Sequence, residues 1–387
     1  MFSPPLPQSL VVPNEIPPEE PDDTPLPGLP ISDLDGPLNL PGLVFGAATF
    51  SNFYNADSHL TSLTPVRTTR LALRYGICAF DTSIYYGPSE VVLGNALKVL
   101  EKEFPRSSYR LFTKCGRLGG SSFDYSPSAI RKSVKKSLER LQTDYLDVVY
   151  LHDSEFVASE VTPRKTGQHA LALTDERGEY GLRVGDEGVV HGDGDQKILE
   201  AFAELRQMKK EGLVKYIGLT AYPVPTLLRL SLLILHTAPF EPVDVVMSYS
   251  HLTLQNTLFA DFASQFRERA RVGQLLNASP LSMGLLSQSI PPWHPAPVEL
   301  RNAIDQARNV SGGDIVDVSL GYAMRKCEEL GMPLVTGLSN TKEVHDCVRV
   351  WREVRAGIDQ EERLVKEQKM REILRDAGVL DWSWSSP

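Results

Sequence analysis

Eight short apolar runs, each followed by a longer segment of mixed polarity, set the architecture between residues 43 and 337. They occupy residues 43–48, 77–82, 110–114, 146–152, 216–220, 243–248, 274–279 and 333–337, and branched residues are frequent in them. Such runs read as strands. The segments between them carry helical spacing. The clearest is 128–141, where Ile130, Val134, Leu138 and Leu141 recur at three- and four-residue steps opposite Arg131, Lys132, Lys135, Lys136 and Glu139. Residues 198–208 and 316–330 behave alike, and 90–100 opens with an acidic first turn that suits a helix dipole. Eight strands alternating with helices predict an α/β fold, a parallel sheet closed as a (β/α)8 barrel. The rival is an open doubly wound sheet, which normally carries a glycine-rich dinucleotide fingerprint after its first strand. Here that strand runs into Gly46-Ala47-Ala48-Thr49-Phe50, which is not one.

The ends of the chain are of a different character. Residues 1–41 hold 12 of the 28 prolines and show no periodicity, so they are expected to form a mostly extended tail before a barrel domain at 42–387. The first residues, Met1-Phe2-Ser3-Pro4-Pro5, have neither the basic region nor the apolar core of a targeting signal. Near the other end, residues 361–374 read as a charged surface helix, and Asp381-Trp382-Ser383-Trp384 is expected to expose two indoles near a free end.

Charge and cysteine content exclude several classes of function. Forty Lys and Arg against 49 Asp and Glu leave a formal charge of −9. A nucleic-acid or anionic-membrane partner calls for the opposite sign. No apolar run approaches the roughly 18 residues of a membrane span. Cys78, Cys115, Cys327 and Cys347 are scattered without C-x-x-C spacing, which argues against zinc or a disulfide framework and fits a reducing, cytoplasmic location.

About 43 residues separate His152 from the next helix, expected near Gln196, where a barrel loop usually needs few. Turn chemistry at Gly178-Glu179-Tyr180-Gly181 and His191-Gly192-Asp193-Gly194-Asp195 suggests that this insertion, about residues 154–195, forms a hairpin or lid, or else a tolerated surface loop.

Polar groups collect where three consecutive strands end. The second ends in Phe80-Asp81-Thr82-Ser83-Ile84-Tyr85-Tyr86-Gly87, the third in Phe112-Thr113-Lys114-Cys115, and the fourth in Val149-Tyr150-Leu151-His152-Asp153. In a barrel these ends share one face, so Asp81, Tyr86, Lys114 and His152 can meet. A lysine beside a tyrosine favours the phenolate, an aspartate supplies the counter-charge for a buried lysine, and a histidine can bond a substrate oxygen. The set suits proton transfer coupled to hydride transfer at a carbonyl or carbinol carbon, with no metal.

These residues, Asp81-Thr82-Ser83-x-x-Tyr86-Gly87 with Lys114 and Leu151-His152, resemble the catalytic tetrad of the aldo-keto reductases over roughly residues 38–356. The resemblance implies a TIM barrel, an NAD or NADP cofactor, and Tyr86 as acid–base with Lys114, Asp81 and His152 in support. It also implies cofactor contacts at Thr49 and Phe50, at Thr220, at Ser279, Pro280, Leu281 and Gly284, and at Gly337, Ser339, Asn340, Glu343 and Asp346. Departures are visible. Ala221 replaces an amide, Ala278 stands where a tyrosine usually stacks on nicotinamide, and Ser248-Tyr249-Ser250 lacks the usual glutamine. Glu343 replaces an arginine that holds the 2′-phosphate of NADP, which implies NAD.

Lys114-Cys115-Gly116-Arg117, the stretch Tyr85-Tyr86-Gly87-Pro88-Ser89-Glu90 and the long insertion resemble the sugar dehydrogenases of this family. They imply NAD-dependent oxidation of an aldose, D-arabinose foremost, at C1 to the lactone, with Tyr85, Arg117, His152 and Ser154 near the sugar. The alternatives are NADP-dependent reduction of aldehydes or ketones, and a cofactor-sensing regulatory subunit.

Overall fold

The computed structural model describes residues 11–386 apart from 32, 33, 35 and 359. Eight strands close a barrel in the order β1 to β8. They are β1 (Leu43–Gly46), β2 (Ala79–Asp81), β3 (Arg110–Cys115), β4 (Leu146–Leu151), β5 (Val214–Ala221), β6 (Val245–Tyr249), β7 (Gln274–Ala278) and β8 (Leu334–Gly337). Each of the eight apolar runs coincides with one of them to within about two residues at either end.

The helices are α1 (Asp57–Leu60), α2 (Thr64–Arg74), α3 (Ser89–Val99), α4 (Pro127–Leu141), α5 (Asp193–Lys210) and α6 (Val224–Leu235). They continue with α7 (Leu258–Ser264), α8 (Val298–Val310), α9 (Ile315–Glu329), α10 (Thr341–Ala356) and α11 (Gln360–Asp376). No helix among the described residues is long and apolar enough to cross a membrane.

The chain divides into two compact units. The first comprises residues up to Ala158 with Gly192–Thr220 and Val335–Val348. Its strands pair in parallel, with Asp81 opposite Phe112 and Lys114 opposite Tyr150. Burial of Phe45, Phe80, Leu111, Phe112, Val148 and Val149 fills the space around them. Helix α4 follows the predicted amphipathic pattern. Ser126 caps it by accepting from the Ala129 amide, Pro127 takes the first turn, Ile130, Val134 and Leu141 are buried, and Gln142 ends it at φ +53°. Gly46 and Gly337 seam the unit. A β-carbon on Gly46 would meet the Thr336 carbonyl oxygen at 3.0 Å, and one on Gly337 would meet Thr49 Cγ2 at 2.9 Å.

The N-terminal segment is fastened to this unit. Residues 11–31 contain one short 3-10 turn, Pro21–Asp23, and are otherwise irregular. The Asp23 carboxylate is 1% exposed and lies 2.8 Å from Arg70 and 2.7 Å from Arg67 on α2. Arg70 also donates to the Pro17 carbonyl. The first ten residues of the expected tail lie outside the described residues.

The second unit comprises Ser159–His191, Ala221–Leu334 and Arg349–Pro387. Strands β6 and β7 pair in parallel within it, with Ser248 opposite Asn277. The expected hairpin after His152 is absent. Residues 154–192 hold two 3-10 turns, Ser154–Phe156 and Ala170–Leu173, and no strand. Backbone donors such as those of Thr174, Glu179 and Tyr180 bond to carbonyls three or four residues back instead of to a neighbouring strand. One antiparallel bridge, Gly167 to Ser383, joins the insertion to the C-terminal segment.

That segment also overturns an expectation. Trp384 is fully buried, packed on the rings of Tyr222 at 5.2 Å and His294 at 4.8 Å, while its amide donates to the Tyr222 hydroxyl. The position near the chain end suggested exposure, but a cluster with Leu300, Ile304, Leu374 and Val379 covers the indole.

Candidate active site

The four residues expected to meet all lie in the first unit, at the carboxyl ends of β2, β3 and β4 and in the turn after β2. The turn is locked locally. The Tyr86 amide donates to the Ser83 carbonyl, and the Ser89 hydroxyl donates to the Ala47 carbonyl and contacts Thr82 Oγ1 at 2.7 Å.

Lys114 and Asp81 form a buried ion pair. Lys114 Nζ donates to Asp81 Oδ2 at 2.6 Å and to the Thr82 carbonyl at 2.9 Å. Burial lifts the Asp81 carboxyl above its usual range, and the neighbouring ammonium pulls against that shift. The same ammonium lies 4.7 Å from the centroid of the Tyr86 ring, a cation–π distance.

The Tyr86 phenol is not made acidic by this neighbour. Burial first, then the Asp81 and Asp153 carboxylates, push it well above the ordinary tyrosine value. The Lys114 charge is already committed to Asp81, so it does not offset the cost of a buried phenolate. This corrects the expectation of a depressed value and makes the phenol a proton carrier at neutral pH.

His152 stands edge-on to Tyr86, with ring centroids 5.6 Å apart, and to Tyr85 at 5.7 Å. Burial, with help from the Lys114 and Arg117 cations, drops its pKa well below that of free histidine, so the ring is neutral. Nδ1 is 3.0 Å from Ser83 Oγ, and Nε2 is 3.4 Å from Asp153 Oδ2. Ser83 Oγ accepts from the Tyr85 amide, which leaves its own proton for Nδ1. The carboxylate facing Nε2 favours a proton there. Together they assign the Nε2–H tautomer.

Arg117 is placed beside this cluster but is only 5% exposed. It forms a short ion pair with Asp153, donates to the Gly120 carbonyl, and lies 4.1 Å from the Tyr85 ring. Tyr85 is half-buried, and its ring also faces Phe53 at 5.5 Å. Ser154 is buried and its hydroxyl is within reach of the Leu151 and Thr220 carbonyls. The strand pattern did not reveal that Asp153 would turn back on His152; only its adjacency to the histidine signals it. Tyr125 was missed as well. Its ring covers Gly116, where a β-carbon would sit 2.3 Å from the ring, and its hydroxyl donates to the His152 carbonyl.

The residues expected near a cofactor differ in accessibility. Thr49 Oγ1 donates to the Leu338 carbonyl at 2.8 Å. Phe50 is fully buried against Phe45, and Thr220 is 1% exposed. Asn55, not anticipated, bridges the Thr49 carbonyl and Ser339 Oγ. At the start of α10, Asn340 Oδ1 accepts from the Glu343 amide at 3.0 Å. The Glu343 carboxylate accepts from the Ser339 amide at 2.6 Å and from Asn340 Nδ2 at 3.0 Å. Glu343 is thus part of the helix cap. Gly337 is exposed at the end of β8, and Lys342 pairs with Asp346 at 2.6 Å.

Ser279, Pro280, Leu281 and Gly284 belong to the second unit. There Ser279, Ser282, Met283 and Gly284 all take positive φ, and Ser279 Oγ accepts from the Met283 amide at 2.9 Å.

Comparison with known proteins adds a family. The family model described as "Aldo/keto reductase family" matches residues 42–365. D-arabinose 1-dehydrogenase of Saccharomyces cerevisiae is 35% identical over 307 residues, 78% of this chain and 80% of that protein. L-galactose dehydrogenase of Arabidopsis thaliana is 34% identical over 331 residues, 84% of this chain and 88% of that protein. Among solved structures, an aldo-keto reductase from Bacillus halodurans in its holo form aligns with a TM-score of 0.56 at 19% identity, covering 89% of this chain and 96% of the other. That likeness concerns the fold.

Proposed function

Because the chain belongs to the aldo/keto reductase family, and is therefore an oxidoreductase built on a (β/α)8 barrel, we propose that it is a sugar dehydrogenase that oxidises an aldose, D-arabinose foremost, at C1 to the lactone with NAD. The observation that carries the reading is the joint placement of four groups: the Lys114–Asp81 pair at 2.6 Å, the Tyr86 ring over that ammonium, and a neutral His152 edge-on to it. The names of the two relatives support an aldose as substrate.

The donor set fits a nicotinamide dinucleotide. NAD, when bound, supplies the hydride acceptor. Thr49, Thr220, Gly337, Ser339, Asn340, Glu343 and Asp346 are the residues of the first unit assigned to hold it; Phe50 supports them from the core. The cap at α10 supports NAD over NADP. The exposed Glu343 carboxylate repels a 2′-phosphate and accepts from a free ribose hydroxyl, and the nearby Lys342 cation is paired with Asp346.

The chain's own residues handle the proton. Tyr86, in its phenolate form, takes the proton of the C1 hydroxyl. His152 donates Nε2–H to the sugar oxygen and holds it in line. Lys114, held by Asp81, fixes the Tyr86 ring through its contact at 4.7 Å. Tyr85 offers an aromatic face to the sugar ring. Arg117 is better assigned to holding Asp153 than to touching sugar, since its charge is spent on that carboxylate.

We place the enzyme in the cytoplasm on its scattered cysteines, and expect no nucleic-acid or anionic-membrane partner on its negative net charge. Steady-state assays of pentoses and hexoses with NAD and NADP test the reading. Sugar-dependent NADH formation is expected. NADPH-dependent aldehyde reduction with no sugar oxidation would replace it by the reductase alternative, and cofactor binding without turnover by the regulatory one.

A further inference from the structure

A buried arginine–aspartate pair abuts the histidine without being needed to neutralise it. Asp153 is 2% exposed and adopts φ +54°, the left-handed region that aspartate enters more readily than most residues. That backbone turn points the carboxylate back, so that one oxygen, Oδ2, faces both Arg117 Nη1 and His152 Nε2. Arg117 is held in turn by the Gly120 carbonyl and by the Tyr85, Phe123 and Phe156 rings at 4.1, 5.3 and 5.4 Å. Phe123 and Phe156 stack on each other at 4.9 Å and close the cage.

We propose that Arg117 and Asp153 are positioning residues: their buried ion pair fixes His152 as the uncharged Nε2–H tautomer and aims that N–H at the substrate oxygen. The inference rests on the reading of His152 as hydrogen-bond donor to the substrate. Geometry supports each part. Asp153 Oδ2 lies 3.4 Å from Nε2, near enough to orient a proton there and too far to saturate it. Ser83 serves Nδ1 from the other side. The charges around the imidazole have opposing effects. Arg117 and Lys114 resist a second proton on the ring, and Asp153 would invite one if its partner were removed. The other groups facing the ring are the Tyr85 and Tyr86 phenols, and Tyr125 bonds its carbonyl. A carboxylate alone beside the histidine would make an imidazolium. A carboxylate shared with a guanidinium orients the neutral ring instead.

Nitrogen-15 NMR of the imidazoles in the full-length protein tests this, with the His152 signals assigned by their loss in His152→Gln. In the wild type the proton is expected on Nε2, with the ring still uncharged well below the pH at which a free histidine is protonated. In Arg117→Met the titration midpoint should rise by at least one pH unit, with Arg117→Lys in between. In Asp153→Asn the midpoint should not rise, but a share of the Nδ1–H tautomer should appear. A wild-type proton on Nδ1, or a midpoint unmoved in Arg117→Met, overturns the proposal. If Arg117→Met does not fold, the wild-type tautomer and the Asp153→Asn spectrum decide. Neither measurement uses a sugar, so a failure of the substrate assignment remains distinguishable. Where a sugar is turned over, kcat of Asp153→Asn should fall on the order of 10- to 100-fold with the KM for NAD unchanged, as for other carboxylates that orient a histidine.

Discussion

The Lys114 ammonium lies 2.6 Å from the Asp81 carboxylate, and both side chains are almost wholly withdrawn from solvent. Removing one member strands the other charge. Lys114→Met is expected to cost about 3–5 kcal/mol in urea denaturation. Lys114→Met with Asp81→Leu should recover most of that loss, since an apolar pair removes both charges, yet leave the protein without turnover. Equal stability in the single and double variants would contradict the pairing.

Tyr86→Phe is expected to lower turnover by about 10³-fold or more while cofactor binding, followed by fluorescence quenching, persists. The direction of the phenol shift also sets a pH dependence. Because burial and two carboxylates favour the protonated phenol, the form that accepts a proton becomes more populated as pH rises. Sugar oxidation should therefore accelerate with pH into the alkaline range, and reduction of the corresponding lactone or aldehyde should slow. Initial rates in both directions from pH 6 to 10 check this.

Glu343 has two roles that one substitution separates from a purely structural one. Glu343→Ala removes the acceptor for the Ser339 amide and Asn340 Nδ2, and should lower the thermal midpoint. It should also narrow the preference for NAD over NADP roughly fivefold, the worth of one unit charge near a phosphate in water. A lowered midpoint with an unchanged cofactor ratio would confine Glu343 to capping.

Three buried histidines besides His152 make the fold acid-sensitive. Burial drops His251 to about 3 and His169 and His294 to about 4. Unfolded histidine protonates near 6.5, so below that value the unfolded chain binds more protons than the folded one. Stability is fully present above pH 6.5 and is lost as pH falls toward 4, by about 1.4 kcal/mol per unit for each such histidine. Urea midpoints between pH 7 and 4.5 measure the slope, and His251→Gln should make it shallower.

The N-terminal segment offers a further test. Asp23→Asn leaves Arg70, 1% exposed, without its carboxylate. A loss of roughly 3 kcal/mol or more is expected in the same denaturation assay. No loss would mean that the segment is dispensable to the barrel.

Where a pattern was local and periodic, it was legible in the sequence. The β1 to β8 runs announced themselves by apolar branching, and α4 by the four-residue recurrence of Ile130 and Val134. The tetrad was legible because strand ends converge in a barrel. Helix α6 was not, since 11 of its 12 residues are buried and an all-round apolar helix has no polar face to give a period. Trp384 misled because closeness to a chain end says nothing of a partner such as Tyr222, 162 positions away. The Asp153–Arg117 pair depends on a left-handed turn that no residue type requires, so only the folded backbone reveals it.

Gly46 and Gly337 meet across the seam of the first unit, about 290 positions apart in the chain. During synthesis, then, one border of the growing sheet has no neighbour until the last strand emerges from the ribosome. Contacts of such long sequence separation form late and slowly, and an unpaired border recruits foreign strands meanwhile. A bulkier residue at either glycine should therefore show itself first as poor recovery of newly made protein in the cell, before any defect appears in the purified enzyme.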